Sequence, residues 1–172
     1  MMIPPKPITR ASHPHLYPPP IVRAPEQAVR TLAYRRAGSA VAWVMFDLCP
    51  ESVSVLERPR LPKKVDNRRV AEYYATAELC GHEAARRHQP KDAHWAEGET
   101  RIAELLLRHW TSSYGELVAY VQRIRLNARK LAQDPVFWCK VQIIAGELLM
   151  QVRLDGAVVI DLCRVVDETV RS

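Results

Sequence analysis

The pair His82-Glu83 is the part of this sequence that comes nearest to a metal-hydrolase site. In the motif H-E-x-x-H, two histidines one helical turn apart bind zinc and the glutamate between them activates water. Here the fifth position is Arg86, and the next histidine, His88, lies about 120° away from His82 around a helix. We therefore interpret the pair as part of an ordinary polar helix surface and not as a zinc site.

A second segment, Ala33 to Ala42, has the spacing of a two-ligand helix without its chemistry. Arg35 and Ser39 are one turn apart, so a helix places them on one face with Arg36 beside them. A guanidinium group has no lone pair for a metal and stays protonated near neutral pH. These residue types exclude a zinc site, and Gly38 with its alanine neighbours predicts close packing against another element.

The composition indicates a single helix-rich domain. The chain has 172 residues, of which 48% are hydrophobic and only six are glycine. It contains no uncharged apolar run of about 18 residues and no apolar leader, so we expect a cytoplasmic protein without a membrane span. The four cysteines form no C-x-x-C pair, which favours buried, reduced thiols over a zinc ribbon.

Residues 1–24 are predicted to form a separate, extended arm. Seven prolines fall within the first 20 residues, and proline fixes φ and removes backbone donors. The arm also carries more apolar residues than a linker needs, so we expect it to contact a protein partner; the candidate residues are Ile8, Leu16, Tyr17 and Ile21. Residues 1–36 hold six basic residues against one acid, which leaves nucleic-acid binding as a further possibility.

The remainder, residues 25–172, reads as a mainly α (α+β) domain of about six helices with a small β element. Helical periodicity and capping signals place the elements as follows: a helix from Pro25 to about Leu48, a strand at Ser52–Leu56, helices at Asn67–Arg87 and around Ile102–Trp110, a helix capped by Ser113 and running to Gln133, a helix opened by Asp134-Pro135, a turn at Leu154-Asp155-Gly156 and a final helix at Val158–Thr169. The stretch Ala96–Glu99 is predicted to precede the third helix as a loop.

This succession resembles the peptidase domain of the FtsH-like zinc metallopeptidases, in the small bacterial forms that lack an ATPase. Ala33 to Ala42 is similar to the family's zinc helix Y-H-E-A-G-H-A-V-A, and Ser52 to Val55 to the strand after it. Ala77 to Ala85 is similar to a small-residue helix of the type A-G-x-x-A-E. Asp134-Pro135 and Leu154-Asp155-Gly156 are similar to the family's ending, D-P-x-x-W-x-x-V followed by L-(S/D)-G-x-x-V.

The resemblance implies a degenerate ancestral site. Arg35 stands at the first zinc histidine, Arg36 at the general base and Ser39 at the second histidine, while Glu99 occupies the place of the third, acidic ligand. It thus implies a peptidase-like fold with no catalytic residues, no metal and no cofactor. We also predict that Arg35 or Arg36 forms an ion pair with Glu99 in place of the metal.

The function expected from this resemblance is that of a catalytically inactive, peptidase-like protein with a regulatory or adaptor role through a protein partner. The first alternative is an active metal-dependent hydrolase with a rebuilt site, in which Glu99 works with one of the histidines, His82, His88, His94 or His109. The second is a nucleic-acid-binding accessory protein that uses the basic N-terminal region.

Overall fold

The computed structural model describes residues 26–48, 50–57, 61, 65–90 and 96–171, with side chains from residue 100 onward in the last range. The predicted arm, with Ile8, Leu16, Tyr17 and Ile21, lies outside these residues. The described residues form six helices and one small sheet, which confirms the mainly α fold: α1 Glu26–Met45, β1 Ser52–Ser54, α2 Arg68–His88, α3 Ala96–Leu107, a 3₁₀ turn Arg108–Trp110, α4 Tyr114–Gln133, α5 Pro135–Gln151, β2 Arg153–Asp155 and α6 Gly156–Arg171.

Three helices begin where the sequence predicts. The Asn67 side chain accepts hydrogen bonds from the first turn of α2, and Asp134 caps α5 directly before Pro135. The Ser113 hydroxyl accepts a hydrogen bond from the backbone N–H of Glu116 at 3.2 Å. The Glu116 carboxylate in turn accepts from the backbone N–H of the residue before the cap, at 2.8 Å. Each of these side chains accepts a hydrogen bond from a backbone N–H group at the start of a helix, where no helical carbonyl is available as a partner.

Helix α1 is the central element of the fold. Its residues from Ala33 to Trp43 are almost all buried, because α2, α5 and α6 pack around it. A helix buried on several sides must carry small or apolar residues all round, and α1 does so with Ala33, Ala37, Ala40 and Ala42. None of the helices in the described ranges combines the length and apolarity needed to cross a bilayer.

The predicted close packing at Gly38 is confirmed. A Cβ atom added there would lie 2.6 Å from the Ala84 Cβ atom and 2.9 Å from the Cys80 carbonyl oxygen, both on α2. The opposite residue on α2 is Gly81, where an added Cβ atom would lie 2.6 Å from the Arg35 carbonyl oxygen. The two glycines therefore allow the backbones of α1 and α2 to approach within direct contact.

The turn predicted at Leu154-Asp155-Gly156 is wrong. Residues Arg153–Asp155 instead form β2, which pairs antiparallel with the shorter-than-predicted β1, so that Val53 lies opposite Leu154. Leu154 is buried in the core while its neighbours on both sides are exposed, the alternation of a half-buried strand. The partner strand lies a hundred residues earlier in the chain, so local turn residues did not reveal the pairing.

The loop predicted at Ala96–Glu99 is also wrong, because α3 begins at Ala96. Glu97 and Glu99 therefore belong to the first helical turn, where carboxylates stabilise the positive end of the helix dipole. The backbone of Glu99 is therefore helical, whereas the family resemblance placed this residue in a loop. The predicted C-terminal helix is confirmed and is slightly longer than expected, from Gly156 to Arg171.

A pair of glycine substitutions tests the close contact between α1 and α2. We expect Gly38→Ala to lower the free energy of unfolding by about 1–3 kcal/mol, because the added methyl group collides with backbone and Cβ atoms of α2. Gly146→Ala in α5 is the matched control. No heavy atom of a neighbouring element lies within 4 Å of its added Cβ atom, so this change should stabilise the protein by about 0.5–1 kcal/mol. Urea unfolding measures both; equal effects would contradict the packing.

Candidate functional site

Helix α1 buries all three residues of its degenerate segment. Arg35 and Arg36 have only 7% and 8% of their surface exposed, and Ser39 is buried as well. Charged side chains are rarely buried to this extent unless they have partners. Both arginines do take part in polar or electrostatic interactions. The guanidinium groups are therefore part of the interior of the protein and not of its surface.

The residues at this site do not fit a zinc ion. Neither guanidinium can donate a lone pair to a metal. The Ser39 hydroxyl lies directly against Gly81 of α2, where even a methyl group would overlap it. A larger ligand side chain such as histidine would meet the backbone of α2 at this position. The chemistry of the side chains and the closeness of the two helices thus agree, and no zinc-dependent step can be assigned to Arg35, Arg36 or Ser39.

The interpretation of His82-Glu83 as a polar helix surface is wrong. Each of these two residues has only 5% of its surface exposed. They lie in a stretch of α2, from Ala75 to Ala85, in which every residue is buried. The sequence contains a signal for this, because alanine, glycine and cysteine occupy every side of the helix in this stretch. Small residues all round indicate a helix that is packed on several sides.

Helix α4 supplies the charges that face Glu83. The Arg129 Nε atom lies 3.8 Å from the Glu83 carboxylate, and the Arg86 guanidinium lies 3.9 Å from it on the next turn of α2. Arg125, one turn before Arg129, donates a hydrogen bond to the Thr100 hydroxyl of α3. A single layer of polar contacts therefore joins α2, α3 and α4. Only the carboxylate side of these two ion pairs is buried, because the Arg86 and Arg129 side chains keep 41% and 45% of their surface exposed.

The electrostatics of this layer favour a neutral histidine. Burial, followed by the positive charges of Arg125 and Arg35, lowers the pKa of His82. Burial raises the pKa of Glu83, and the guanidinium groups of Arg129 and Arg125 partly offset that effect. Arg35 of α1 and Arg125 of α4 thus both act on the His82 imidazole of α2. We call Arg35, Ser39, His82, Glu83, Arg125 and Arg129 the polar layer.

Glu99 is the fourth residue of the ancestral set, and the resemblance predicts that its carboxylate faces Arg35 or Arg36. Its backbone lies in the first turn of α3, and its side chain is outside the described part of the chain. The ion pair predicted between Glu99 and Arg35 or Arg36 therefore stays a prediction. The setting is suitable, because α3 packs against α2 and its Thr100 already contacts the polar layer.

The histidines proposed for a rebuilt hydrolase site lie in different surroundings. His88 stacks on the ring of Tyr34 with centroids 3.7 Å apart, and its pKa is lowered by burial and by Arg30. His109 lies in the exposed 3₁₀ turn after α3, and His94 is outside the described residues. Within the described ranges, no three His, Cys, Asp or Glu side chains are grouped closely enough to hold a metal ion.

The cysteines agree in part with the expectation of buried thiols. Cys80 and Cys163 are buried, Cys139 is partly exposed, and all three are free. Burial raises the pKa of Cys163 to about 11, so its thiolate is scarce near neutral pH. Burial raises the pKa of Cys80 further. Neither buried cysteine has the character of a nucleophile, which needs an exposed thiol with a lowered pKa.

The comparisons with known proteins place this chain in no family. No protein-family model matches it, and no curated protein is significantly similar to it. The resemblance to the FtsH-like peptidases therefore depends on the quoted motifs alone. The geometry of the polar layer supports an internal charge network that joins three helices, and it offers no activated nucleophile among the residues described.

The polar layer predicts a specific dependence of stability on pH. Because the pKa of His82 is lowered in the native state, the unfolded chain binds a proton more readily once the pH falls below about 6.5. Protonation therefore favours unfolding, and stability should decrease as the pH falls from about 6.5 towards the native pKa. The substitution His82→Gln removes the titrating imidazole, so the decrease in stability with falling pH should become smaller. Urea unfolding at a series of pH values measures the slope.

His109→Gln is the matched control, since it removes an imidazole from the exposed 3₁₀ turn. We expect it to keep the wild-type dependence on pH. Some slope should remain in His82→Gln, because the lowered pKa of His88 acts in the same direction. If His82→Gln and wild type lose stability equally between pH 7 and pH 5, the electrostatic description of the polar layer is incorrect.

Proposed function

We propose that this protein is a catalytically inactive relative of the FtsH-like peptidases that acts by binding another protein, in a regulatory or adaptor role. One observation carries the proposal, namely the burial of Arg35, Arg36 and Ser39 at the contact between α1 and α2. These are the positions where the resemblance places two zinc ligands and the general base. Each now holds a residue that cannot perform that role.

The energetics of the polar layer support a structural use of the ancestral positions. Moving a guanidinium group out of water costs several kcal/mol unless partners compensate for it. A chain that merely lost its activity would tolerate small neutral residues at these positions. Two arginines buried where α1 packs against α2, one of them close enough to lower the pKa of His82, support a site rebuilt to hold helices together. In this proposal the protein uses its fold to bind a partner and does not hydrolyse a substrate.

The location of the protein is part of the same proposal. The sequence favours the cytoplasm, where four unpaired cysteines would stay reduced. A bacterial cytoplasmic adaptor of this kind would need no cofactor. The partner would be recognised by the outer surfaces of the helices or by the apolar residues of the arm.

A substitution at Glu99 tests whether an ion pair with an arginine of α1 has taken the place of the zinc ion. We expect Glu99→Ala to lower the free energy of unfolding by about 3–5 kcal/mol, because it would leave a buried guanidinium group without its carboxylate. Glu104→Ala, on the same helix, is the matched control and should cost much less. Adding a chelator should leave the thermal midpoint of the wild type unchanged.

The alternative of a working metallohydrolase gives the opposite results. It requires stoichiometric zinc in the purified protein by elemental analysis, a midpoint that falls with chelator, and hydrolysis of a casein substrate that depends on Glu99. Any of these findings would refute the proposal of an inactive relative. Loss of stability in Glu99→Ala without bound zinc would agree with it.

Deletion of residues 1–22 tests the contribution of the arm to binding. A proline-rich segment adds little to a core, so we expect the thermal midpoint of the helical domain to stay nearly constant. Association with copurifying proteins should become weaker. Unchanged association would show that the arm is only a leader, and association with DNA or RNA that falls steeply with salt would favour the nucleic-acid alternative.

A further inference from the structure

A cleft of about 490 Å³ opens between α2 and α4, beside the end of α1 and away from the polar layer. One wall is aromatic, because the rings of Phe46 and Tyr73 stack in parallel with centroids 4.6 Å apart. Leu131 of α4 adds aliphatic surface to the opposite wall, next to Ile124, which is almost fully buried in the core. The volume is within the range of about 300–1,000 Å³ that is typical of binding pockets, and the walls suit a bulky apolar side chain.

The acid in the cleft is already compensated. The Glu72 carboxylate accepts a hydrogen bond from the Tyr120 hydroxyl. Arg68 and Arg123 lie on either side of it, with nitrogen to oxygen distances of 3.9 and 3.8 Å. The Arg123 guanidinium also lies 4.8 Å from the centre of the Tyr120 ring. Glu72 is therefore neutralised by the protein and does not present a net negative charge to the cleft.

The cation in the cleft is not compensated in this way. The ammonium group of Lys130 is exposed on α4 and forms no ion pair or hydrogen bond with another residue of the described ranges. Asn127, one turn before it, likewise has an exposed amide. Together they give the rim one positive charge and one neutral hydrogen-bonding group next to the apolar walls.

We propose that this cleft docks a segment of a partner protein in which a bulky apolar side chain lies next to a single Asp or Glu. The apolar side chain enters between the aromatic wall and α4, and the carboxylate meets Lys130 with Asn127 beside it. The inference rests on the proposed function, since it assigns the binding surface of an adaptor. The occupant carries a single side-chain carboxylate, because the charged residues of the lining, Glu72, Arg123 and Lys130, sum to one positive charge.

Two other occupants fit the charges less well. Residues 1–24 of this chain contain Lys6, Arg10 and Arg23 and no acid, so they would bring like charge to Lys130. A nucleic acid carries a charge at every phosphate and needs a row of cations along its backbone. The residues that line the cleft carry one net positive charge, from Arg123 and Lys130 against Glu72, and the carboxylate in the wall opposes a polyphosphate chain.

The direct test measures binding of a short synthetic peptide with blocked ends, in which one Phe is followed by one Glu in a neutral sequence. Blocking the ends leaves the Glu side chain as the sole carboxylate. Fluorescence anisotropy with the full-length protein gives the Kd. We expect saturable binding, about two- to fivefold weaker when Glu is replaced by Gln and at least as much weaker when Phe is replaced by Ala.

Two substitutions in the protein separate the charge from the apolar pocket. Lys130→Glu should weaken binding of the Glu peptide about tenfold and leave the Gln peptide nearly unaffected. Arg108→Glu, in the exposed 3₁₀ turn, makes the same change of charge outside the cleft and should bind as wild type does. Asn127→Trp should fill the cleft and abolish binding, whereas Gln122→Trp on another face of α4 should not.

The inference is overturned if Lys130→Glu and Asn127→Trp bind the peptide as tightly as wild type, or if the Gln peptide binds equally well. Displacement of the peptide by a single-stranded oligonucleotide would show a nucleic-acid surface and would also overturn it. Failure here is distinguishable from failure of the proposed function. A protein that copurifies equally with wild type and with both cleft variants would refute the cleft while leaving an adaptor role intact.

Discussion

The contact between α1 and α2 at Gly38 and Gly81 is the constraint on which the fold depends. It brings the two helix backbones together with only the small side chains of Ser39 and Ala84 at the contact, so any larger residue at either glycine would separate the helices. The separation would open the central helix to water along the segment that holds Arg35 and Ser39. Close packing of small residues is thus what allows charged groups to lie inside a domain of this size.

The helices α2 and α4 are joined at two places by different chemistry. Near the middle of the bundle, the buried Glu83 carboxylate lies 3.8 Å from the half-exposed guanidinium group of Arg129 on α4. Nearer the start of α2, Glu72 and Tyr120 form a partly exposed contact that water can reach. Buried ion pairs add little net stability compared with apolar residues, but they penalise alternative packings in which one partner is left alone. The inner contact is therefore suited to fixing the register of the two helices.

The sequence predicted the features that depend on neighbouring residues. Ser113 with Glu116, and Asp134 with Pro135, are local capping signals, and both mark the starts of helices correctly. The small residues around Gly38 predicted a close helix contact. What sequence reasoning missed depends on residues distant in the chain. Leu154 joins a strand through a partner near Val53, and the arginines that act on His82 come from α1 and α4, whose spacing in the sequence does not reveal their nearness to it.

The central position of α1 also constrains how the chain is made. Ser52, just after α1, pairs with a strand 101 residues later, and α5 and α6 cover α1 from the far end of the sequence. At a synthesis rate of about 5–20 residues per second, α1 leaves the ribosome roughly 5–20 s before the helices that enclose it. During that interval its alanine-rich surface has only α2 to cover it. The order of the elements in the chain therefore requires the last two helices to be made before α1 is fully enclosed, so the fold is completed late in synthesis.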